Sequence, residues 1–210
     1  KLSALNSLLE FLGLRDCRVK FLKDQRRLFR DAGRELTKAE YQRLLDTAHR
    51  LGQERLGLLV EAMGATGIRV SEVRYLTVEA ARQGKAEISL KGKARVILLP
   101  GKLCRKLLRY AEKQKTASGA IFRTKSRREM SRRQIWAEMK RLCGHAGVDP
   151  RKVFPHNLRH LFAKCFYEQE KDLAHLADLL GHSSIETTRI YVAVSARAHE
   201  QILEKMRLIV

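Results

Sequence analysis

Acidic residues are scarce in this chain: 23 Asp plus Glu face 43 Lys plus Arg in 210 residues, a formal net charge of +20. So large an imbalance argues for a polyanionic partner. Proline occurs three times and aromatics make up 6%. Together with many Leu, Ala, Lys, Arg and Glu residues, this favours a mostly helical protein. Long apolar runs are missing, and none approaches the ~18 residues that cross a bilayer. A secretory pattern is missing too, because Leu2, Leu5, Leu8 and Leu9 alternate with polar residues. The four cysteines, Cys17, Cys104, Cys143 and Cys165, form no Cys-x-x-Cys pair. Cys143 and His145 alone cannot complete a tetrahedral set, so neither a metal nor a cofactor is expected. Reduced thiols in a cytoplasmic protein are the simplest expectation. What is present is enough for a core: 44% of the residues are apolar, which argues against disorder. The length fits one domain, or one domain plus part of another.

The positive charge is concentrated. Between Lys85 and Lys152 twenty Lys/Arg stand against five acidic residues, a local balance of +15. Arg123, Lys125, Arg127, Arg128, Arg132 and Arg133 are its densest part. With so few acidic residues interspersed, a phosphate-binding surface is favoured over a merely solubilising one. Such contacts supply affinity and register more than sequence readout.

Leu5, Leu8, Leu9 and Leu12 have helical spacing, and residues 3–13 are expected to be the end of an amphipathic helix. Residues 14–35 are basic and weakly periodic, as in a linker. Thr37 with Glu40 makes a capping box for a helix to about Leu51. A second helix is expected from Glu54 to about Ala65, broken by Gly64 and Gly67. Residues 86–90 and 95–99 form a hairpin around Lys91-Gly92-Lys93-Ala94. Helices follow at about 102–116, 132–146 (capped by Ser131), 156–169 (opened by Pro155) and from Asp172 to Gly181. Two more fit about 184–192 and 196–208. The expected fold is mainly α with a small antiparallel β insertion.

Five spots carry unusual chemistry. Arg69 opens a short helix after Gly67, where the helix dipole disfavours a cation unless an anion joins it. Lys91 and Lys93 lie at the hairpin tip, where a mobile lysine is either a solubilising group or a general acid. His156 and Arg159 share a helix face. His182 follows the glycine that ends a helix. Tyr191 lies on a further amphipathic stretch, where a tyrosine is commonly a core residue with its hydroxyl at the surface. Taken together, two arginines, a lysine, two histidines and a tyrosine make a phosphoryl-transfer set that needs no metal.

Three stretches resemble the boxes of one family, the tyrosine recombinases or phage integrases. Ala65–Val73 is similar to its first arginine box. His156–His160, followed by Leu161-Phe162-Ala163, is similar to its His-x-x-Arg box. Leu179–Ser184, Ile185 and Thr187-Thr188, leading to Tyr191, are similar to its terminal box. The boxes occur in the family's order, and the resemblance spans about residues 36–210. The resemblance implies that Arg69 and Arg159 clamp a scissile phosphate and that His182 hydrogen-bonds it. It implies that His156 assists proton transfer and that Tyr191 attacks phosphorus, giving a 3′-phosphotyrosine bond and a free 5′-hydroxyl. Glu72 matches a supporting acidic position. Lys91 aligns best with the family's hairpin lysine, and Lys93 is the alternative.

The implied activity is site-specific recombination of double-stranded DNA through a Holliday junction, as in integration or excision of a mobile element. A homotetramer assembled on DNA is implied as well. Residues 1–13 are expected to be a remnant of the last helix of an N-terminal core-binding domain, 14–35 a linker, and 36–210 the catalytic domain. The tail at 196–210 docks on a neighbouring protomer or packs on its own domain. A type IB topoisomerase uses a similar residue set, but the Leu-Gly-His-Ser-Ser and Thr-Thr sequences favour the recombinase. A non-catalytic DNA-binding regulator explains the charge but not the ordered boxes.

Overall fold

Local side chains start most of the helices. In the computed structural model, which describes residues 2–19, 32–90, 93–124, 126–182, 184, 185, 187 and 188, α1 spans Leu2–Phe11 and α2 spans Lys38–Arg50. The Thr37–Glu40 capping box opens α2 in both directions: Glu40 N–H donates to Thr37 Oγ1 at 3.1 Å, and Thr37 N–H donates to Glu40 Oε2 at 2.9 Å. Helix α3 covers Glu54–Thr66 and ends on Gly67 at φ +61°, left-handed backbone that suits glycine. A 3₁₀ turn, Val70–Tyr75, and the short helix α4, Val78–Gln83, lead to the hairpin strands β1, Lys85–Leu90, and β2, Lys93–Leu98. Helices α5 (Gly101–Lys113), α6 (Arg132–Ala146), α7 (Pro155–Glu170) and α8 (Leu173–Leu180) complete the described elements. Ser131 caps α6, Pro155 opens α7 and Asp172 caps α8.

Helix α3 is the central element, packed on α2, α5 and α7. Its Leu59, Val60 and Met63 are fully buried with Leu44 of α2, Leu107 of α5, Ile135 and Met139 of α6, and Leu158 of α7. The architecture is therefore mainly α with a two-stranded antiparallel sheet, as the sequence pattern leads one to expect. Among the described residues no helix is long and apolar enough to cross a membrane.

Three local expectations need correction. Gly64 does not break α3. A Cβ there would lie 2.7 Å from the Tyr41 ring, so this glycine makes room for a tyrosine of the neighbouring helix. The strand pairing extends from Lys85↔Leu98 to Leu90↔Lys93, so Lys93 and Ala94 belong to β2 rather than to the turn. Helix α4 was not legible, because its six residues are too few to show periodicity. Positions 20–31 of the expected linker, the hairpin positions 91–92 and everything from 189 onward, where a helix is expected at 196–208, lie outside the described residues.

Candidate active site

The site is built around the end of α8 and one buried carboxylate. Glu72 lies in the 3₁₀ turn and is 2% exposed. Its Oε1 accepts from Arg69 Nη1 at 2.9 Å. Its Oε2 accepts from the Arg69 backbone N–H at 2.9 Å and from Arg95 Nη2 at 3.0 Å. Thus the anion that makes a cation tolerable at the start of this turn is Glu72 itself.

The C-terminal end of α8 supplies backbone acceptors, where the helix dipole favours cations. The Leu180 carbonyl accepts from Arg159 Nη2 at 2.6 Å and from Arg95 Nη1. The Gly181 carbonyl accepts from Arg69 Nη2 at 3.3 Å. Arg159 is 2% exposed, and its Nη1 donates to the Gly67 carbonyl at 2.6 Å. Two guanidiniums, Arg69 and Arg95, pair with the one carboxylate, and Arg159 is held by backbone carbonyls, which leaves a surplus of positive charge suited to an oxyanion. Arg69 is the accessible one, with 39% of its side chain exposed.

His182 completes the cluster. Its Nε2 lies 2.9 Å from Arg159 Nη2, and its Nδ1 lies 2.8 Å from the Oγ1 of buried Thr188. A guanidinium only donates, so Nε2 accepts and the imidazole carries its proton on Nδ1, donated to Thr188. Burial, and then the charges of Arg159, Arg69, Arg95 and His156, push the His182 pKa down to about 4. His156 sits in the first turn of α7, exposed, with its ring 4.6 Å from that of His160 in an edge-to-face arrangement. Its neighbour Asn157 is structural: its amide donates to the carbonyls of Arg34, at 2.7 Å, and Lys152, at 2.8 Å.

Arg69 pairs with Glu72 and Arg159 with His182, and the two pairs meet at the Leu180 and Gly181 carbonyls, with His156 close enough to affect His182. Tyr191 and Lys91 lie outside the described residues, as does the side chain of Lys93. Arg95 is the member that sequence spacing did not reveal. The signal was present: strand alternation puts Arg95 on the same face as buried Ile97, while Val96 and Leu98 are exposed. An arginine on the inward face of a strand needs a buried partner.

The basic run forms a separate unit. Arg127, Arg128, Arg132 and Arg133 are exposed, and Lys125 lies outside the described residues. Arg123 is half-buried and donates from Nη2 to the Ser118 carbonyl at 3.1 Å. The loop closes through an Arg123↔Glu129 bridge, and α6 follows with Arg132 and Arg133 in its first turn. Among the described residues no hydrogen bond or ion pair joins these side chains to the Glu72 cluster.

The sequence model of the phage integrase family matches residues 34–198, and the chain belongs to that family. It is 38% identical to the tyrosine recombinase XerD of Xanthomonas campestris over 91% of this chain and 64% of that protein. It is 31% identical to the tyrosine recombinase XerA of Pyrococcus horikoshii over 99% of this chain and 73% of that one. The chain thus spans somewhat less than two thirds of the Xanthomonas relative. The fold matches the crystal structure of XerA recombinase with a TM-score of 0.71 at 23% identity, covering 100% of this chain and 74% of that one. It also matches the XerH site-specific recombinase bound to its palindromic difH substrate, with a TM-score of 0.68 at 23% identity over 80% of this chain and 51% of that one.

Proposed function

We propose that this chain cleaves and rejoins DNA as a site-specific tyrosine recombinase. The observation that carries the proposal is the convergence of Arg69, Arg159 and His182 on the end of α8 beside the buried Glu72. That is an oxyanion site, in a family whose members include named tyrosine recombinases.

Arg69 and Arg159 neutralise the non-bridging oxygens of the scissile phosphate. Tyr191 attacks phosphorus as its phenolic proton leaves toward His156. The P–O5′ bond breaks while the P–O bond to tyrosine forms. Lys91, or Lys93 in its place, gives a proton to the departing 5′-oxygen. Once Arg159 turns to the phosphate, His182 carries a proton on Nε2 and donates it in a hydrogen bond to a phosphate oxygen. The phosphotyrosine conserves the energy of the broken bond, so a 5′-hydroxyl from another strand reverses the step without external energy. Two rounds of exchange pass through a Holliday junction, within a homotetramer assembled on double-stranded DNA. Integration or excision of a mobile element in the cytoplasm is the role that fits this chemistry. The exposed Arg127, Arg128, Arg132 and Arg133, with Arg123 and Lys125, track the DNA backbone. Two cations in the first turn of α6 are unfavourable alone and favourable once a phosphate joins them.

The test is covalent trapping on nicked suicide duplexes from a randomised pool, with the attached residue mapped by peptide mass. An adduct at Tyr191, lost in Tyr191→Phe while DNA binding persists, is the expected outcome. Adducts of normal yield from Tyr191→Phe refute the mechanism.

A further inference from the structure

Arg95 is the one guanidinium of the cluster to which the proposed chemistry gives no task. It enters from β2, far in sequence from both of its partners. Its Nη2 holds Glu72 Oε2 at 3.0 Å, and its Nη1 donates to the Leu180 carbonyl. Its side chain is 13% exposed, against 39% for Arg69, so it is placed to hold the site together rather than to meet DNA.

The surroundings are shaped around this side chain. Gly181 has φ +61°, and a Cβ on it would lie 2.6 Å from Arg95 Cδ and 2.9 Å from Arg95 Nη1. A residue larger than glycine therefore cannot follow α8 while Arg95 lies where it does. The hairpin has a second tie to the same turn: Tyr75 Oη donates to the Ser89 carbonyl at 3.2 Å. Arg95 thus links three pieces through a single side chain. These are the hairpin, the turn bearing Arg69 and Glu72, and the end of α8 that leads to His182.

We infer that Arg95 is a positioning residue for the phosphate clamp, acting through Glu72 on Arg69 and through the Leu180 carbonyl on Arg159 and His182. The inference rests on the proposed recombinase chemistry for its kinetic consequence. Without Arg95, Glu72 Oε2 keeps only the Arg69 backbone donor, and the single carboxylate charge is paired with the Arg69 side chain alone. The Arg69 guanidinium then turns inward, away from an incoming phosphate. A lysine cannot substitute, because a single ammonium lacks the fork that reaches a carboxylate and a carbonyl together.

The experiment compares the full chain with Arg95→Ala and Arg95→Lys in single-turnover cleavage of a nicked suicide duplex. Both variants are expected to cleave about 10²-fold more slowly, the usual size of a misplaced catalytic group, while DNA affinity changes little. A 5′-bridging sulfur, which needs little protonation, rescues Lys91→Ala but not the Arg95 variants. A scissile methylphosphonate carries one fewer negative oxygen and narrows the gap between the Arg95 variants and the parent. Wild-type cleavage rates in Arg95→Lys, or rescue by sulfur, overturn the inference.

Arg95→Lys keeps the charge and the stem, so it serves if Arg95→Ala fails to fold. A readout without chemistry separates the two proposals. Inorganic phosphate is titrated against the Arg69 Nε–H resonance, and Arg95→Lys is expected to weaken its binding about tenfold, or ~1.4 kcal/mol. A parent chain that binds phosphate yet forms no adduct refutes the recombinase proposal alone. In that case, unchanged phosphate affinity in Arg95→Lys overturns the role of Arg95.

Discussion

Lowering the pH is expected to destabilise this protein through one histidine. His182 accepts a hydrogen bond from Arg159 on Nε2 and donates from Nδ1 to Thr188, so the fold holds the neutral ring. Burial comes first, followed by Arg159, Arg69, Arg95 and His156, in holding its pKa at about 4 instead of the usual 6.5. A depressed histidine pKa means that the unfolded chain binds the proton more readily. The stability tied to the neutral ring is therefore complete above about pH 6.5 and is lost as the pH falls toward 4. At pH 5 the loss is about 2 kcal/mol if none of it is screened, and about 1 kcal/mol with partial solvent access. For a chain of this size that is a melting-temperature difference of about 2–4 °C. The assay measures melting at pH 7.5 and pH 5 for the parent and for His182→Gln, whose amide can still accept from Arg159. The parent is expected to lose about 2–4 °C more than the variant over that interval. Histidine NMR, with the variant supplying the assignment, gives the titration directly. A His182 resonance that titrates near 6.5, or equal losses in the two proteins, refutes the argument. The same geometry links protonation to the ligand. A phosphate that takes over Arg159 frees Nε2 and adds negative charge, so inorganic phosphate is expected to raise the His182 pKa.

Two further outcomes test the packing and the basic surface. Gly64→Ala places a methyl 2.7 Å from the Tyr41 ring and is expected to cost about 1–3 kcal/mol in denaturant unfolding, whereas Gly144→Ala, with nothing within 4 Å, is not. DNA affinity is expected to fall steeply between low and physiological salt, and replacing Arg127, Arg128, Arg132 and Arg133 by alanine reduces the slope by ~0.9 per lost phosphate contact; a slope unchanged by all four removes this loop and helix from the DNA surface.

The sequence by itself determined the features that depend on residues within about one turn of each other. The Thr37–Glu40 box, Ser131 at the start of α6, Pro155 at the start of α7 and Asp172 at the start of α8 all mark helix starts where the structure has them. Two short apolar runs on either side of Lys91-Gly92 marked the hairpin, and the spacing of His156 and Arg159 put both on α7. The chemical roles of these residues are implied by family resemblance, since a three-residue spacing says only that two side chains share a face.

Tertiary structure alone decided who meets whom across the chain. Arg95 reaches Glu72 across 23 residues and the Leu180 carbonyl across 85, while Arg159 reaches the Gly67 carbonyl across 92. Glu72 looks like any surface glutamate three residues after an arginine until α8 and β2 cover it. Gly64 looks like a helix breaker until Tyr41 of α2 needs the space. The tautomer of His182 follows from which arginine it faces. The reason is physical: caps and periodicity arise from hydrogen bonds and packing between near neighbours, which short stretches encode. Buried charge clusters form only when the core brings distant elements within hydrogen-bond reach, and each buried polar group then takes the partners available.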